Sequence, residues 1–408
     1  MIGKPFHGVY GNRRVLVTGH TGFKGSWLAI WLKELGSEVI GYALDPPSNP
    51  SIFAASGLAD KIIHEYGDVR DLDHLSDVFD RYKPVIVFHL AAQALVRSSY
   101  KDPKTTFDTN IGGTVNVLEA VRRTDTVRVL VNITSDKCYE NREWVWGYRE
   151  NDPMGGHDPY SASKGCAELI FAAYLRSFFN KSVSGKSVKS RETLQISGEN
   201  GSCPQISTPR LAGVSASGDR QIGAASCRAG NAIGGGDWGK DRLLPDCVRA
   251  LTTGKTIGIR NPHAVRPWQH VLELLSGYLW LGACLWNDPE KYSGGWNFGP
   301  ANDAHLTVGE LVGRFVKAWG SGGWQDLSLP GAVHEAATLR LCCDKAATYL
   351  GWQNVLSMEQ AITMTAEWYK MFYDGASQEA VYSFCMKQIF EYVKAAKNKK
   401  LKWTGKYD

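Results

Sequence analysis

The 408-residue chain lacks several features that assign a protein to a class at a glance. It has no Cys-x-x-Cys pair and no histidine cluster at metal-ligand spacing, although nine cysteines lie at positions 138, 166, 203, 227, 247, 284, 342, 343 and 385. Cysteines scattered in this way are expected to be reduced thiols of a cytoplasmic protein, and no metal site is expected. Charge of one sign is not in excess: 46 Lys and Arg stand against 41 Asp and Glu, a net +5. This balance argues against nucleic acid as a partner and leaves room for a local basic patch facing a phosphorylated small ligand. Long hydrophobic runs are missing too. The most apolar stretch, near 274–286, is interrupted by Gly277 and runs on into Asn287 and Asp288, so no membrane span is expected. The first residues carry no basic-then-apolar leader pattern. What the chain has in quantity is aromatic, with 14 Trp and 17 Tyr, in keeping with buried packing and a lined pocket rather than disorder.

Order is legible from the first strand onward. Arg14–Thr18, RVLVT, reads as a parallel-type strand, GHTGFKG follows, and SWLAIWLKEL repeats apolar residues at helical spacing. In such a strand–turn–helix, Gly19 permits the tight turn, Gly22 lets backbone approach a pyrophosphate, and Gly25 allows close helix–strand packing. Thr21, Phe23 and Lys24 lie between them, so 19–25 is the expected phosphate cradle at a helix N-terminus. The second strand, SEVIGYAL, ends at Asp45. A carboxylate there can accept both adenosine ribose hydroxyls and repel a 2′-phosphate, favouring NAD over NADP. The alternative is an aspartate that only serves the turn before Pro46 and Pro47. A short third strand leads to Asp68 and Val69, an expected wall for an adenine. The fourth, VIVFHLAAQ (85–93), ends in Leu90, Ala91, Ala92 and Gln93, which leave room for the dinucleotide. A helical pattern over 105–123 opens near Asn110, which is grouped with the cofactor contacts.

A fifth strand over 127–133 delivers Ser135, Asp136 and Lys137 to a C-terminal strand edge, where open α/β sheets place their chemistry. Tyr160 and Lys164 stand four apart at the start of a helix running to about Phe179, on one helical face. An ammonium beside a phenol favours the phenolate, so the pair can serve as a base near neutral pH. An isolated match of this kind is as readily a surface tyrosine above a lysine; the strand-end cluster upstream favours the catalytic reading. Strands alternating with helices predict an α/β fold, a doubly wound parallel sheet of Rossmann type over 1–180. Residues 181–222, rich in Ser, Gly and Lys, read as a polar insert, a flexible loop. Residues 223–393 read as a smaller mixed α/β substrate-binding region with interleaved returns to the main sheet. There Arg228 and Asn231 fall near a strand end, and Leu356 to about Tyr373 is a helix. The lysine-rich 394–408 is expected to be a solvated basic tail.

These residues carry a resemblance. GHTGFKGSWL at 19–28, TSDKCYEN at 134–141, YSASK at 160–164, RAGNAIGGGDW at 228–238 and RNPHAVRPWQHVLE at 260–273 resemble the NAD-dependent nucleotide-sugar 4,6-dehydratases of the extended short-chain dehydrogenase/reductase superfamily. The resemblance covers nearly the whole chain except 181–222. It implies NAD as cofactor and a nucleotide-diphosphate sugar as substrate. Ser135, Tyr160 and Lys164 would be its Ser–Tyr–Lys catalytic group, with Asp136 the acid that expels the sugar 6-hydroxyl. Lys137 stands where dTDP-glucose relatives carry glutamate, the feature of the CDP-glucose branch; it would be the C5 base or a fixed charge orienting the sugar. Arg266 would clamp the pyrophosphate, Arg228 and Asn231 would lie on the substrate side, and His270, grouped with them, would be a structural polar partner. The family also implies a homodimer, paired through the helices at 105–123 and 160–179. A dTDP-glucose or GDP-mannose dehydratase remains an alternative, as does a nucleotide-sugar epimerase, which has no use for an acid at C6. A non-catalytic NAD-binding scaffold is the remote reading.

Overall fold

The computed structural model describes residues 4–180, 221–300, 306–328 and 339–405. Its centre is a sheet of seven parallel strands. In chain order they are β1 (Arg14–Thr18), β2 (Glu38–Ala43), β3 (Ile63–Tyr66), β4 (Ile86–His89), β5 (Val129–Ile133), β6 (Gly223–Ala229) and β7 (Gly294–Phe298). They lie side by side as β7-β6-β5-β4-β1-β2-β3. The order reverses between β1 and β4, which opens a crevice at their C-terminal ends. Strands buried on both faces need apolar residues at successive positions. Val15 and Val17 of β1 pack with Ile86, Phe88, Val129 and Val131 on one side, against the helices Phe23–Glu34 and Val271–Asn287. Leu16, Ile40, Val87 and Leu130 face the other side, with the helices Leu72–Tyr82, Gly113–Arg123 and Pro159–Tyr174. The doubly wound sheet expected from the alternation is present.

The helix at 105–123 is interrupted. A π-helical turn, Asp108–Gly112, carries Asn110 at its middle. The tyrosine helix likewise ends in a π turn, Leu175–Phe179. The smaller region is built from three short ladders: 232–233 beside 269–270, 257–259 beside 324–326, and 265–266 against 306–307. The chain returns twice to the main sheet, as β6 and β7. Among the described residues no helix is long and apolar enough to cross a membrane.

One expectation lies outside the described residues and one changes. The insert at 181–222 lies outside the described residues except for its last two. The tail is not a solvated strand of lysines. The helix Gln378–Asn398 runs into it, and Leu401, Trp403 and Thr404 are buried. Trp403 stacks on Phe6 with ring centroids 5.0 Å apart and on Tyr392 at 5.9 Å. Lys400 and Lys402 alternate outward past these residues, so the basic composition hides one buried face.

Candidate active site

The glycine run forms the turn between β1 and the helix that follows, with close contacts at Gly19 and Gly25. Gly19 has φ +76°, and a Cβ there would lie 2.7 Å from the Ala91 nitrogen, so the loops after β1 and β4 touch backbone to backbone. Gly22 is the N-cap of the following helix and supplies no side chain to its first turn. A Cβ on Gly25 would lie 2.1 Å from the Gly19 carbonyl oxygen. Only glycine leaves this cradle open, and the helix amides behind it suit a pyrophosphate. Thr18 Oγ1 accepts from the amides of Leu90 and Ala91, each at 3.2 Å, and fixes that side of the crevice. Asp45 lies two residues past β2, exposed on a cavity of about 510 Å³ shared with Pro46, Ser48 and Ala54. Thr21 Oγ1 donates to the Leu44 carbonyl at 2.9 Å and ties this loop to the cradle.

Other expected cofactor residues are engaged by the protein itself. Arg70 Nε donates to Asp68 at 2.9 Å, and that guanidinium holds the carboxyl below its ordinary range. Val69 packs beneath Gly113. Gln93 and Asn110 hold each other: the Gln93 amide donates to Asn110 Oδ1 at 2.8 Å, and Asn110 Nδ2 donates back to the Gln93 carbonyl at 3.0 Å. Asn110 Nδ2 also reaches Ser163 Oγ at 2.8 Å, so it braces the floor of the crevice against the tyrosine helix.

That helix starts where it should. Asp158 accepts from the Ser161 amide at 2.9 Å as N-cap, and Pro159 occupies the first turn. Ser135, Asp136 and Lys137 form a tight turn directly after β5. Ser135 Oγ donates to Asp136 Oδ1 at 2.9 Å. Asp136 is buried, and burial raises its carboxyl above the ordinary value despite Lys137, Ser135 and Lys24. Gly230 meets it from the other side: a Cβ there would lie 3.2 Å from Asp136 Oδ2 and 2.8 Å from Pro267. The segments carrying Asn231 and Arg266 therefore converge on the acid.

Tyr160 departs from the expectation of a lowered phenol. Burial pushes it up to about 12; the Ser135 hydroxyl and the Arg242 guanidinium pull it down, while Asp136 pushes it up. Burial outweighs the nearby cations, because it penalises the phenolate directly. Lys164 is pushed down to about 8, first by burial and then by Lys24, with Glu168 opposing. Lys24 is itself brought to about 8 by burial and by Arg242, and it faces Asp136. Lys24, Arg242, Asp136, Tyr160 and Lys164 thus share one electrostatic neighbourhood. Arg242, held by Asp237 at 2.9 Å, was not singled out in the sequence. Its one signal was a basic residue at the N-terminus of an amphipathic helix, where cations are disfavoured.

Two residues grouped with the substrate are engaged by the protein itself. Arg228 is the penultimate residue of β6, near the strand end as expected, but its guanidinium is spent on Glu168 at 2.8 Å, Tyr139 at 2.7 Å and the Glu150 carbonyl at 2.8 Å. His270 is fully buried, caps the helix Val271–Asn287 and is held neutral, its value lowered to about 3 by burial. Both serve the scaffold. Asn231 offers its backbone carbonyl to the Gln269 amide at 3.0 Å, and Arg266 is half-buried in the short ladder opposite Leu306.

Comparison with known proteins agrees with this geometry. A family model described as GDP-mannose 4,6 dehydratase matches residues 16–195. The CDP-glucose 4,6-dehydratase of Salmonella typhimurium is 45% identical over 375 residues, 92% of this chain and 94% of that protein. Among solved structures, the dTDP-glucose 4,6-dehydratase of Bacillus anthracis in complex with NAD superposes with a TM-score of 0.66 at 19% identity, covering 89% of this chain and 98% of that one. The UDP-glucose 4-epimerase of Thermotoga maritima gives 0.66 at 20%, covering 88% and 99%. The two structures share the fold, and the end-to-end match to the Salmonella protein carries the narrower conclusion: the chain belongs to the CDP-glucose 4,6-dehydratase family of the extended short-chain dehydrogenase/reductases.

Proposed function

We propose that the chain converts CDP-D-glucose to CDP-4-dehydro-6-deoxy-D-glucose and water, with NAD as an internal redox carrier. The observation that carries this reading is the convergence of Ser135, Asp136, Tyr160 and Lys164 at one strand edge, in a chain 45% identical to a CDP-glucose 4,6-dehydratase. The residues present fit a dinucleotide: side chains at Gly19 and Gly25 would fill the cradle, and Asp45, exposed past the end of β2 on a cavity, would hold the adenosine ribose. Asp45 also favours NAD over NADP. When bound, NAD would supply a hydride acceptor for the oxidation at C4 and, once reduced, a hydride donor for C6.

Tyr160 takes the proton of the 4-hydroxyl, and Ser135 hydrogen-bonds the same oxygen. Lys164 stabilises the phenolate. The 4-ketone acidifies C5–H, and a base removes that proton. Asp136 donates a proton to the departing 6-hydroxyl, a role that needs the acid form its burial favours. Lys137, half-buried next to it, is assigned as the C5 base, the alternative being a fixed charge that orients the sugar. Arg266 is assigned to the pyrophosphate, for which a guanidinium fork is suited.

Incubation with CDP-, dTDP- and UDP-glucose and with GDP-mannose, followed by the alkaline absorbance of a 4-keto sugar, tests the reading. Product from CDP-glucose alone supports it; preference for another nucleotide sugar, or a 4-epimer without water loss, would replace it. We also propose a homodimer paired through the tyrosine helix, whose Leu169 and Phe178 are 60% and 50% exposed, an unusual apolar surface for one chain. Sedimentation at micromolar concentration showing only a 45.0 kDa species would refute it. Eight described cysteines are free thiols, which supports a cytoplasmic setting.

A further inference from the structure

We propose that Glu168 and Arg228 are a positioning pair for the catalytic group, clamping the strand end that carries Ser135 to the helix that carries Tyr160 and Lys164. The inference rests on the proposed reaction. Glu168 lies on the tyrosine helix, four residues beyond Lys164 and eight beyond Tyr160. One of its oxygens accepts from the hydroxyl of Thr134, the residue before Ser135. The other accepts from Ser226 Oγ and Arg228 NH2, both at 2.8 Å. Arg228 NH1 reaches the Tyr139 hydroxyl at 2.7 Å, just past the turn that holds Asp136 and Lys137, and Tyr139 passes the chain on to Asn297 of β7 at 2.7 Å. The ion pair therefore connects the residue before the catalytic turn, through Glu168, the residue after it, through Arg228, and the catalytic helix.

The pair is nearly dry, with side chains 7% and 3% exposed. A buried ion pair is a poor device for stability alone, since apolar residues of similar volume often hold a fold as well. Its value here is geometric and electrostatic. It fixes where the Ser135 hydroxyl stands relative to the phenol. It also places a negative charge one helical turn from Lys164, opposing the loss of that ammonium to burial and to Lys24.

The test uses the full chain in two arms. Competitive labelling by acetic anhydride across pH, read on the Lys164 peptide by mass spectrometry, reports the ammonium midpoint without any substrate. Glu168→Gln, and the paired E168Q/R228M that leaves no orphan guanidinium, are each expected to lower that midpoint by about one unit. An unchanged midpoint in either folded variant contradicts the pairing with Lys164. Thr134→Val keeps every charge and removes one contact to Glu168. It is expected to lower kcat on CDP-glucose about 3- to 10-fold, with KM within about two-fold and the Lys164 midpoint unmoved. A wild-type kcat in T134V overturns the proposal whatever the Glu168 variants do, including failing to fold. Wild-type protein inactive on every nucleotide sugar would instead remove the proposed reaction, while the labelling arm would still decide the pair.

Discussion

Two buried carboxylates, Glu168 and Glu273, sit on helices that cover opposite faces of the sheet, and their partners differ in kind. Glu168 meets a guanidinium at 2.8 Å. Glu273 meets only neutral donors: the amides of Val355 at 2.9 Å and Leu356 at 2.7 Å, and the Tyr392 hydroxyl at 2.7 Å. Without a direct cation, burial pushes Glu273 up to about 7. The first carboxylate organises the polar edge where strands end in reactive side chains. The second staples the C-terminal segments onto the deeply buried helix Val271–Asn287, with Ser276 and Trp352 completing the knot at 3.1 Å. One region was built to present chemistry and the other to hold the chain together, and substitutions should separate them.

The largest effect is expected at the polar edge. Tyr160→Phe deletes the proton acceptor but keeps the ring, so turnover should fall by roughly 10²–10⁴-fold with the melting temperature nearly unchanged. Near-normal turnover would remove Tyr160 as the base. At the stapled end the pattern should invert. Trp403→Ala empties a fully buried aromatic site stacked on Phe6 and Tyr392, at a cost of about 3–5 kcal/mol. The folded fraction should keep its kcat; a variant that loses kcat while remaining folded would join the two regions after all.

A smaller effect sharpens the contrast through pH. Glu273 titrates near 7 in the folded chain and near its ordinary 4.5 when unfolded, so between those values the folded state holds the proton more tightly. Its contribution to stability is therefore full below about 4.5, falls as pH rises to about 7, and is flat above. At about 1.4 kcal/mol per unit, the total is a few kcal/mol. Denaturant unfolding at acid and neutral pH should show wild type losing stability relative to E273Q as pH rises. Parallel losses in both would place the titration elsewhere.

The polar edge was largely legible from the residues and the stapled end was not, for physical reasons. β1, β2, β4 and β5 are largely apolar at successive positions and bounded by turn signals, and Gly19, Gly22 and Gly25 have a mechanism at their spacing. β6, by contrast, is GAASCRA, with no branched apolar residue. Its small side chains answer to neighbours: a Cβ on Gly223 would lie 2.8 Å from the Leu285 carbonyl oxygen. Periodicity cannot announce such a strand. Nor can it say that Arg228 would turn toward Glu168, because a charge names its sign and not its partner. The tail misled by composition, since Leu401 and Trp403 are two buried residues among lysines. Tyr160 was placed correctly on its helix, but its phenol answers to burial, which a linear spacing does not reveal.

We propose a division of labour at the polar edge, in which Ser135, Tyr160 and Lys164 assist the oxidation of C4 by NAD and Asp136 is needed only to expel the 6-hydroxyl. Single-turnover stopped flow of Asp136→Asn with NAD and CDP-glucose, watched at the absorbance of reduced nicotinamide, separates the two steps. The expected trace rises at close to the wild-type rate and then persists, with little 4-keto-6-deoxy product formed. A well-folded D136N that shows no rise, or that yields product at the wild-type rate, would contradict it.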